Sequence, residues 1–261
     1  MINIKIQDIK YQVPASWNEI TQKQLISLIK LSDKGMSYVE MQLKFFLICI
    51  QGSIRKKIGA GVFILKTKVG RHVLFSDELA SILDVFDYLF DTNEDGNRSI
   101  SPRLLINHFK KVRIGFRFLY GPNDQLDNIT YDEFVWLQTW QSQLNDNPDA
   151  LDEFINVIYK DRNDKRHLRA VHRFPRTVKT AILWFYVGTM QFLSDYFPHV
   201  FSGTSDENVN IFDNQQRIID SLADGDVTKK NLVRNSLLFD ALYSMEMAAI
   251  RIEQIEKQYN K

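Results

Sequence analysis

The residues with the richest chemistry in this sequence are two histidines set in a run of arginines. His167 and His172 lie between Lys160 and Lys179, together with Arg162, Lys165, Arg166, Arg169, Arg173 and Arg176. Two histidines bind zinc jointly on a helix when they are three or four apart, because that spacing puts both rings on one face. These are five apart, which turns the rings away from each other. What remains is an electropositive segment between two expected helices, and connecting segments of this kind often carry binding surface.

Other candidate motifs fail on their own chemistry. Asp91-x-Asn93-x-Asp95-Gly96 begins like a calcium loop, but Arg98 and Pro102 stand where an aliphatic residue and the bidentate glutamate belong. An Asx-rich turn is the better reading. Cys49, the single cysteine, sits in Phe45-Phe-Leu-Ile-Cys-Ile50, an apolar setting that makes a thiol inert. Gly59-Ala-Gly61 lacks the lysine of a phosphate loop. A carboxylate pair for acid–base work needs tertiary proximity, on which the sequence is silent. The run Lys110-Lys-Val-Arg-Ile-Gly-Phe-Arg-Phe-Leu-Tyr120 interleaves cations with aromatics, which suits stacking of single-stranded nucleic acid. Its alternation favours another reading, with Val112, Ile114, Phe116 and Phe118 as one buried strand face. The expectation is therefore no catalytic residue, no metal site and no cofactor.

The elements that would position these residues are mostly helical. Ile2, Ile4, Ile6 and Ile9, Tyr11, Val13 alternate about Gln7-Asp8 and predict a β-hairpin ending at Pro14. Capping boxes predict helices from Thr21, Ser37 and Thr130. A second hairpin is expected at 62–65 and 72–75, a helix from Ser76 through Phe90, a polar loop over 91–103 and a short helix over 104–111. Asn147-Pro148 and Pro175 open two further helices. Ser202 to Asn210 reads as a linker. Beyond it, Ile211–Leu222 and Lys229 to about Tyr259 read as two helices broken at Gly225. The fold class is thus mainly α: a β-hairpin plus helical domain over 1–201, a linker over 202–210, and a C-terminal helical subdomain over 211–261.

Composition narrows the function classes. The chain has 261 residues, 44% apolar and 25% charged, which is ordinary for a globular protein with a real core. A net charge of +1 supplies no global field for nucleic acid or an anionic membrane. Met1-Ile-Asn-Ile-Lys-Ile does not read as a secretory leader, and the longest apolar stretch, Ala181 to Leu193, is too short to span a bilayer. The charges run in blocks: bases without acids over 41–76, acids without bases over 77–95, bases over 96–123 and acids over 124–159. Neighbouring blocks are expected to face each other on solvated surfaces. Trp136 and Trp140 share one helical face, and Leu238, Leu242, Met245 and Ile252 lie on a broad apolar stripe of the last helix.

Four segments carry a family resemblance. They are Val13-Pro-Ala-Ser-Trp-Asn-Glu-Ile-Thr-Gln-Lys-Gln-Leu25 with the hairpin before it; Tyr120-Gly-Pro-Asn-Asp-Gln-Leu-Asp-Asn-Ile-Thr-Tyr-Asp-Glu-Phe134 with Leu151 to Tyr159; Ala181-Ile-Leu-Trp-Phe-Tyr186 through Phe197-Pro-His-Val-Phe201; and Ile218 to Asn231. Together they resemble tail assembly chaperones and neighbouring tail-morphogenesis proteins of Bacteroidetes-type phages and prophages. The resemblance implies a non-enzymatic protein that shields a hydrophobic tail polypeptide through exposed helical surface. Its partners would be other phage tail or virion proteins, with no small-molecule substrate, nucleic acid or membrane, in the host cytoplasm or the particle; self-association is compatible with it. On that reading Trp136, Trp140, Leu238, Leu242, Met245 and Ile252 meet the partner, and Arg162, Arg166, Arg169 and Arg173 guide it. The alternative is a structural virion component, a connector, ring or cargo protein held by large interfaces.

Overall fold

The computed structural model describes residues 1–59, 61–202 and 211–259. The chain divides into two compact units, 1–104 and 105–261. Helix accounts for 53% and strand for 18%, with nine strands in four small antiparallel sheets and eleven helices among the described residues. This mixed α/β architecture overturns the expected mainly α fold with one or two small hairpins and a C-terminal helical pair.

The first unit opens on the expected hairpin of β1 (Ile2–Ile6) and β2 (Ile9–Val13), paired from Ile2↔Val13 to Ile6↔Ile9. Ile4, Ile6 and Val13 form its buried side. α1 (Gln22–Ser32) starts at a true capping box: Gln24 N–H donates to Thr21 Oγ1 at 3.3 Å, and Thr21 N–H donates to Gln24 Oε1 at 2.8 Å. α2 (Tyr38–Cys49) starts with Glu40 N–H donating to Ser37 Oγ. Leu25, Leu28, Phe45, Phe46 and Phe86 fill the core, with Phe45 edge-on to Phe86 at 5.6 Å.

The undercounted strands follow. β3 (Ser53–Ile58), β4 (Val62–Lys66) and β5 (Arg71–Phe75) make an antiparallel sheet with β4 in the middle. β4 and β5 were expected; β3 was not, because Arg55-Lys56-Lys57 breaks the alternation that marks a strand. It is an edge strand with a bulge between Ile54 and Lys56, the place where lysines and irregularity are tolerated. Thr67, Tyr11 and Gln7 hold buried His72: Tyr11 Oη lies 3.0 Å from His72 Nε2 and 2.9 Å from Thr67 Oγ1. α3 (Ser76–Asp84) stops short of the expected Phe90. The supposed polar loop pairs as β6 (Phe90–Thr92) and β7 (Arg98–Ile100). Asn97 N–H donates to Asn93 Oδ1 at 2.7 Å, so the Asx-rich segment closes a hairpin.

The second unit begins with an irregular stretch where a short helix was expected, held by Asn107, whose amide donates to the Pro122 carbonyl at 2.7 Å. β8 (Lys111–Ile114) and β9 (Arg117–Tyr120) follow as a hairpin. Then come α4 (Tyr131–Ser142), α5 (Ala150–Ile158), α6 (Leu168–Val171), α7 (Arg176–Tyr196) and α8 (Pro198–Phe201). α4 has its capping box at Thr130 and Glu133. α9 (Ile211–Leu222), α10 (Val227–Asn235) and α11 (Leu238–Tyr259) complete the unit. Of the expected linker, residues 203–210 lie outside the described residues.

The helix expected without interruption from Lys229 is broken at Ser236 and Leu237. The cause is tertiary: the Ser236 carbonyl accepts from Tyr131 N–H at 3.0 Å, and Leu238 N–H donates to the Ile129 carbonyl at 3.0 Å. The first turn of α4 thereby satisfies one of its orphan donors, and the break supplies the acceptor. Buried Tyr159 donates its hydroxyl to the Phe109 carbonyl at 2.9 Å and lies over Gly121, where an added Cβ would fall 2.7 Å from that hydroxyl oxygen. Gly121→Ala is expected to cost about 1–3 kcal/mol through overpacking, read as a lower urea midpoint at unchanged slope.

Candidate functional site

Gly115 and Phe116 form the two-residue turn of the β8–β9 hairpin. Gly115 has φ +60 and Phe116 does not take positive φ, the backbone pattern of a type II′ turn, which requires glycine first. A turn of this kind reverses the parity that a single strand would have had. Val112 is buried opposite Leu119, while Phe116 is 99% exposed at the tip and Phe118 is 39% exposed. The expected burial of Phe116 and Phe118 on one face with Val112 is thus corrected.

The outer face consists of two cross-strand pairs, Lys111↔Tyr120 and Arg113↔Phe118. Lys111 Nζ stands 4.2 Å from the Phe118 ring centre and 5.6 Å from that of Tyr120, and the Arg113 guanidinium is 5.7 Å from Phe118. Cations therefore line β8 and aromatics line β9. Across the edge of β9, Arg162 donates to Tyr120 Oη at 2.9 Å, its guanidinium 5.8 Å from the ring centre. Arg117, Phe118, Tyr120, Asp161, Arg162 and Asn163 line a cleft of about 360 Å³.

The loop on the far side of the cleft is tied down by charge. Lys160 exchanges backbone hydrogen bonds with Tyr120 at 2.7 and 3.1 Å. Its ammonium meets Glu133 at 2.6 Å and Asp164 at 2.8 Å. Burial opposes the Lys160 charge, but hydrogen bonds to Asp164 and Glu133 outweigh it and hold its pKa above the usual lysine value. Arg117 Nη1 lies 2.7 Å from His167 Nδ1, and His167 Nε2 lies 2.7 Å from Asp161 Oδ2. A guanidinium only donates, so Nδ1 must accept and Nε2–H must donate to the carboxylate. The hydrogen bond from His167, with backbone N–H donors from Lys165 and Asn163, holds Asp161 down at about 2.

The expected site residues are scattered. Arg162 belongs to the cleft. Arg166 is exposed and reaches Glu133 at 3.8 Å. Arg169 and Arg173 are exposed and form no ion pair with a described residue. His172 pairs with Asp152 at 2.5 Å, apart from His167, so the two histidines do separate work. The block 124–159 does face the block 160–179, through Lys160–Glu133, His172–Asp152 and Lys179–Asp152. Cys49 is half-buried, and burial pushes its thiol up to about 12. Among the described residues no group of acids, histidines or cysteines is arranged to hold a metal, and no helix is long and apolar enough to cross a membrane.

Trp136 lies on the outer side of α4, exposed, and Trp140 is half-buried one turn on. On α11 the stripe splits. Leu238 and Leu242 are fully buried and serve the core, which corrects their expected place on a partner-facing surface. Met245 is half-buried, while Ile252 and Ile255 are 58% and 52% exposed. The inner part of α11 is clamped by α8: Glu246 accepts from the backbone N–H of Val200 at 3.1 Å, and its Oε1 lies 2.5 Å from His199 Nδ1. Hydrogen bonding to Glu246 raises the His199 pKa above 6.5. Burial opposes the charge of Glu246, yet its bonds to His199 and the α8 backbone bring its pKa below 4.5.

Comparison with protein-family models, curated proteins and solved structures finds no match for the chain.

Two titrations follow from this geometry. His199 contributes fully below about pH 6.5 and loses its contribution as pH rises through its raised pKa; Glu246 loses its own as pH falls through its lowered one. Amide exchange in α11 around Glu246, corrected for intrinsic rates, should therefore speed up as pH rises above about 6.5 through the raised His199 pKa, and His199→Ala should abolish that dependence. The Asp161 carboxyl should titrate near 2 by carbon NMR. The loop contribution it carries is fully present above about 3.9 and is lost as pH falls from there through about 2. In His167→Ala the midpoint should climb toward the ordinary range.

Proposed function

We propose that this protein is a non-enzymatic tail-assembly factor of a phage or prophage, acting in the host cytoplasm by binding another tail polypeptide through the outward half of α11. The occupant is a long helix of the tape-measure type. The observation that carries the reading is the exposure of one continuing stripe. Leu238, Ala241, Met245, Ala248, Ile252 and Ile255 follow at alternating steps of three and four, the a and d positions of a heptad. Leu238 and Ala241 are buried within the second unit, whereas Ala248, Ile252 and Ile255 are exposed. A seam that packs at one end and meets solvent at the other is suited to a second helix laid along it. Ala248 permits close approach, and Met245 adapts its shape to the partner.

The test replaces both exposed isoleucines. Ile252→Asp with Ile255→Asp should leave the circular dichroism spectrum and melting temperature nearly unchanged, since exposed positions away from the core usually shift stability by under about 0.5 kcal/mol. Affinity for the tape-measure protein of the same phage, read by calorimetry, should fall at least about 100-fold, the loss of two buried side chains of about 1.5–3 kcal/mol each. Unchanged affinity would refute the reading. Mass spectrometry of purified particles should find the protein absent; a fixed copy number there would instead make it a virion component.

A further inference from the structure

The outer face of the β8–β9 hairpin matches a ligand class that the tail-assembly reading does not include. Three cations border it, Lys111, Arg113 and Arg162, and none forms an ion pair with a described carboxylate. The two acids beside the cleft are already engaged: Asp161 by His167 and two backbone N–H groups, Asp164 by Lys160. With Arg117, four cations surround one ionised carboxylate, Asp161, so the patch is locally positive although the chain as a whole carries only +1. Phe118 and Tyr120 stand two residues apart on one strand, with the exposed ring of Phe116 beyond them at the tip.

From these features we infer that the hairpin face is a binding site for single-stranded nucleic acid. Aromatic side chains stack on bases of any identity, and flanking lysines and arginines neutralise phosphates. The spacing selects the strand state. Side chains two apart on an antiparallel strand are about 6.8 Å apart, roughly twice the ~3.4 Å rise per nucleotide within a duplex strand. Rings at that separation accept bases splayed from one another, which a single strand allows and a duplex forbids. Presenting stacking aromatics on one sheet face is also how sheet-based modules hold successive unstacked bases. The cleft of about 360 Å³ beside Tyr120 lies at the lower end of ligand-sized pockets, about 300–1,000 Å³. Its Asn163 and Arg162 supply polar groups at the border. The inference is independent of α11 and of any tail partner.

Fluorescence anisotropy with labelled 20-nucleotide oligothymidylate and oligouridylate tests it on the full chain. Both should bind with micromolar dissociation constants, and a 20-base-pair duplex at least tenfold more weakly. With three phosphates neutralised, the logarithmic salt slope should be near −2, so that affinity drops about twentyfold between 50 and 200 mM salt. Phe118→Ala and the fully exposed Phe116→Ala should each weaken binding about fivefold or more while leaving that slope intact. Lys111→Ala and Arg113→Ala should each flatten it by about 0.7. Matching melting temperatures for Phe116→Ala and the parent protein control for folding. Absence of binding, equal affinity for the duplex, or phenylalanine variants that bind as the parent does would overturn the inference. So would tighter association with vesicles containing 30% phosphatidylserine than with the oligonucleotides, which would make Phe116 a membrane-inserting tip.

Discussion

Two backbone hydrogen bonds between Tyr120 and Lys160 hold the second unit's candidate binding surface together. They join the last residue of β9 to the chain just after α5, so that the hairpin and the loop over 161–167 form the two walls of one cleft. Each neighbour adds to that join. Gly121 leaves room for Tyr159, whose hydroxyl reaches back to Phe109. The Lys160 side chain runs the other way, to Glu133 in the first turn of α4. Glu133 also accepts from Thr130 N–H, so one buried carboxylate caps a helix and anchors a loop at once. Loss of one partner in such a group strands the other's charge in a poorly hydrated site, which makes the arrangement all-or-none.

The charge pattern takes on meaning in this frame. Acidic 124–159 and basic 160–179 are complementary in sequence because they are neighbours in space: Lys160 and Arg166 reach Glu133, and Lys179 reaches Asp152. What stays uncommitted on the hairpin side is narrower: Lys111, Arg113 and Arg162, each beside an aromatic ring. Most of these pairs are open to solvent, and they add little to stability at moderate salt. Their value lies in the shape of the potential they present.

Capping chemistry made the helix starts legible. Thr21 and Thr130 form the full box and Ser37 half of it, since Glu40 turns to Lys44; these contacts are local and owe nothing to the rest of the fold. The hairpin of β1 and β2 and the long α7 were readable for the same reason: strict alternation in one, and a proline opening a long apolar run in the other. Strands with non-local causes were not. β3 carries three consecutive basic residues and exists because β4 offers it an edge; β6 and β7 are three residues each and depend on an Asx turn. The break between α10 and α11 has no local signal either, since the residue that benefits from it is Tyr131, far back in the chain. Of the site, Arg162 was legible as part of a basic run. Its partner Tyr120, and the outward turn of Phe116 and Phe118, were hidden by an alternation that looked like one strand and is two. Gly115 was the available clue, as the residue a tight primed turn demands. On α11 the periodic stripe was visible, but where the core ends along it was not, and so Leu238 and Leu242 were grouped with residues that face solvent.

The Gly115–Phe116 turn makes the length of this segment matter more than its composition. Side chains alternate between the two sides of a ribbon, so removing or adding a single residue at the turn would send every ring on the second strand inward and bring Leu119 out, with the residue content almost unaltered. A change of two would preserve the arrangement and merely move the tip nearer or farther. Variation tolerated here should therefore come in even steps, a parity rule written into the hairpin by its geometry.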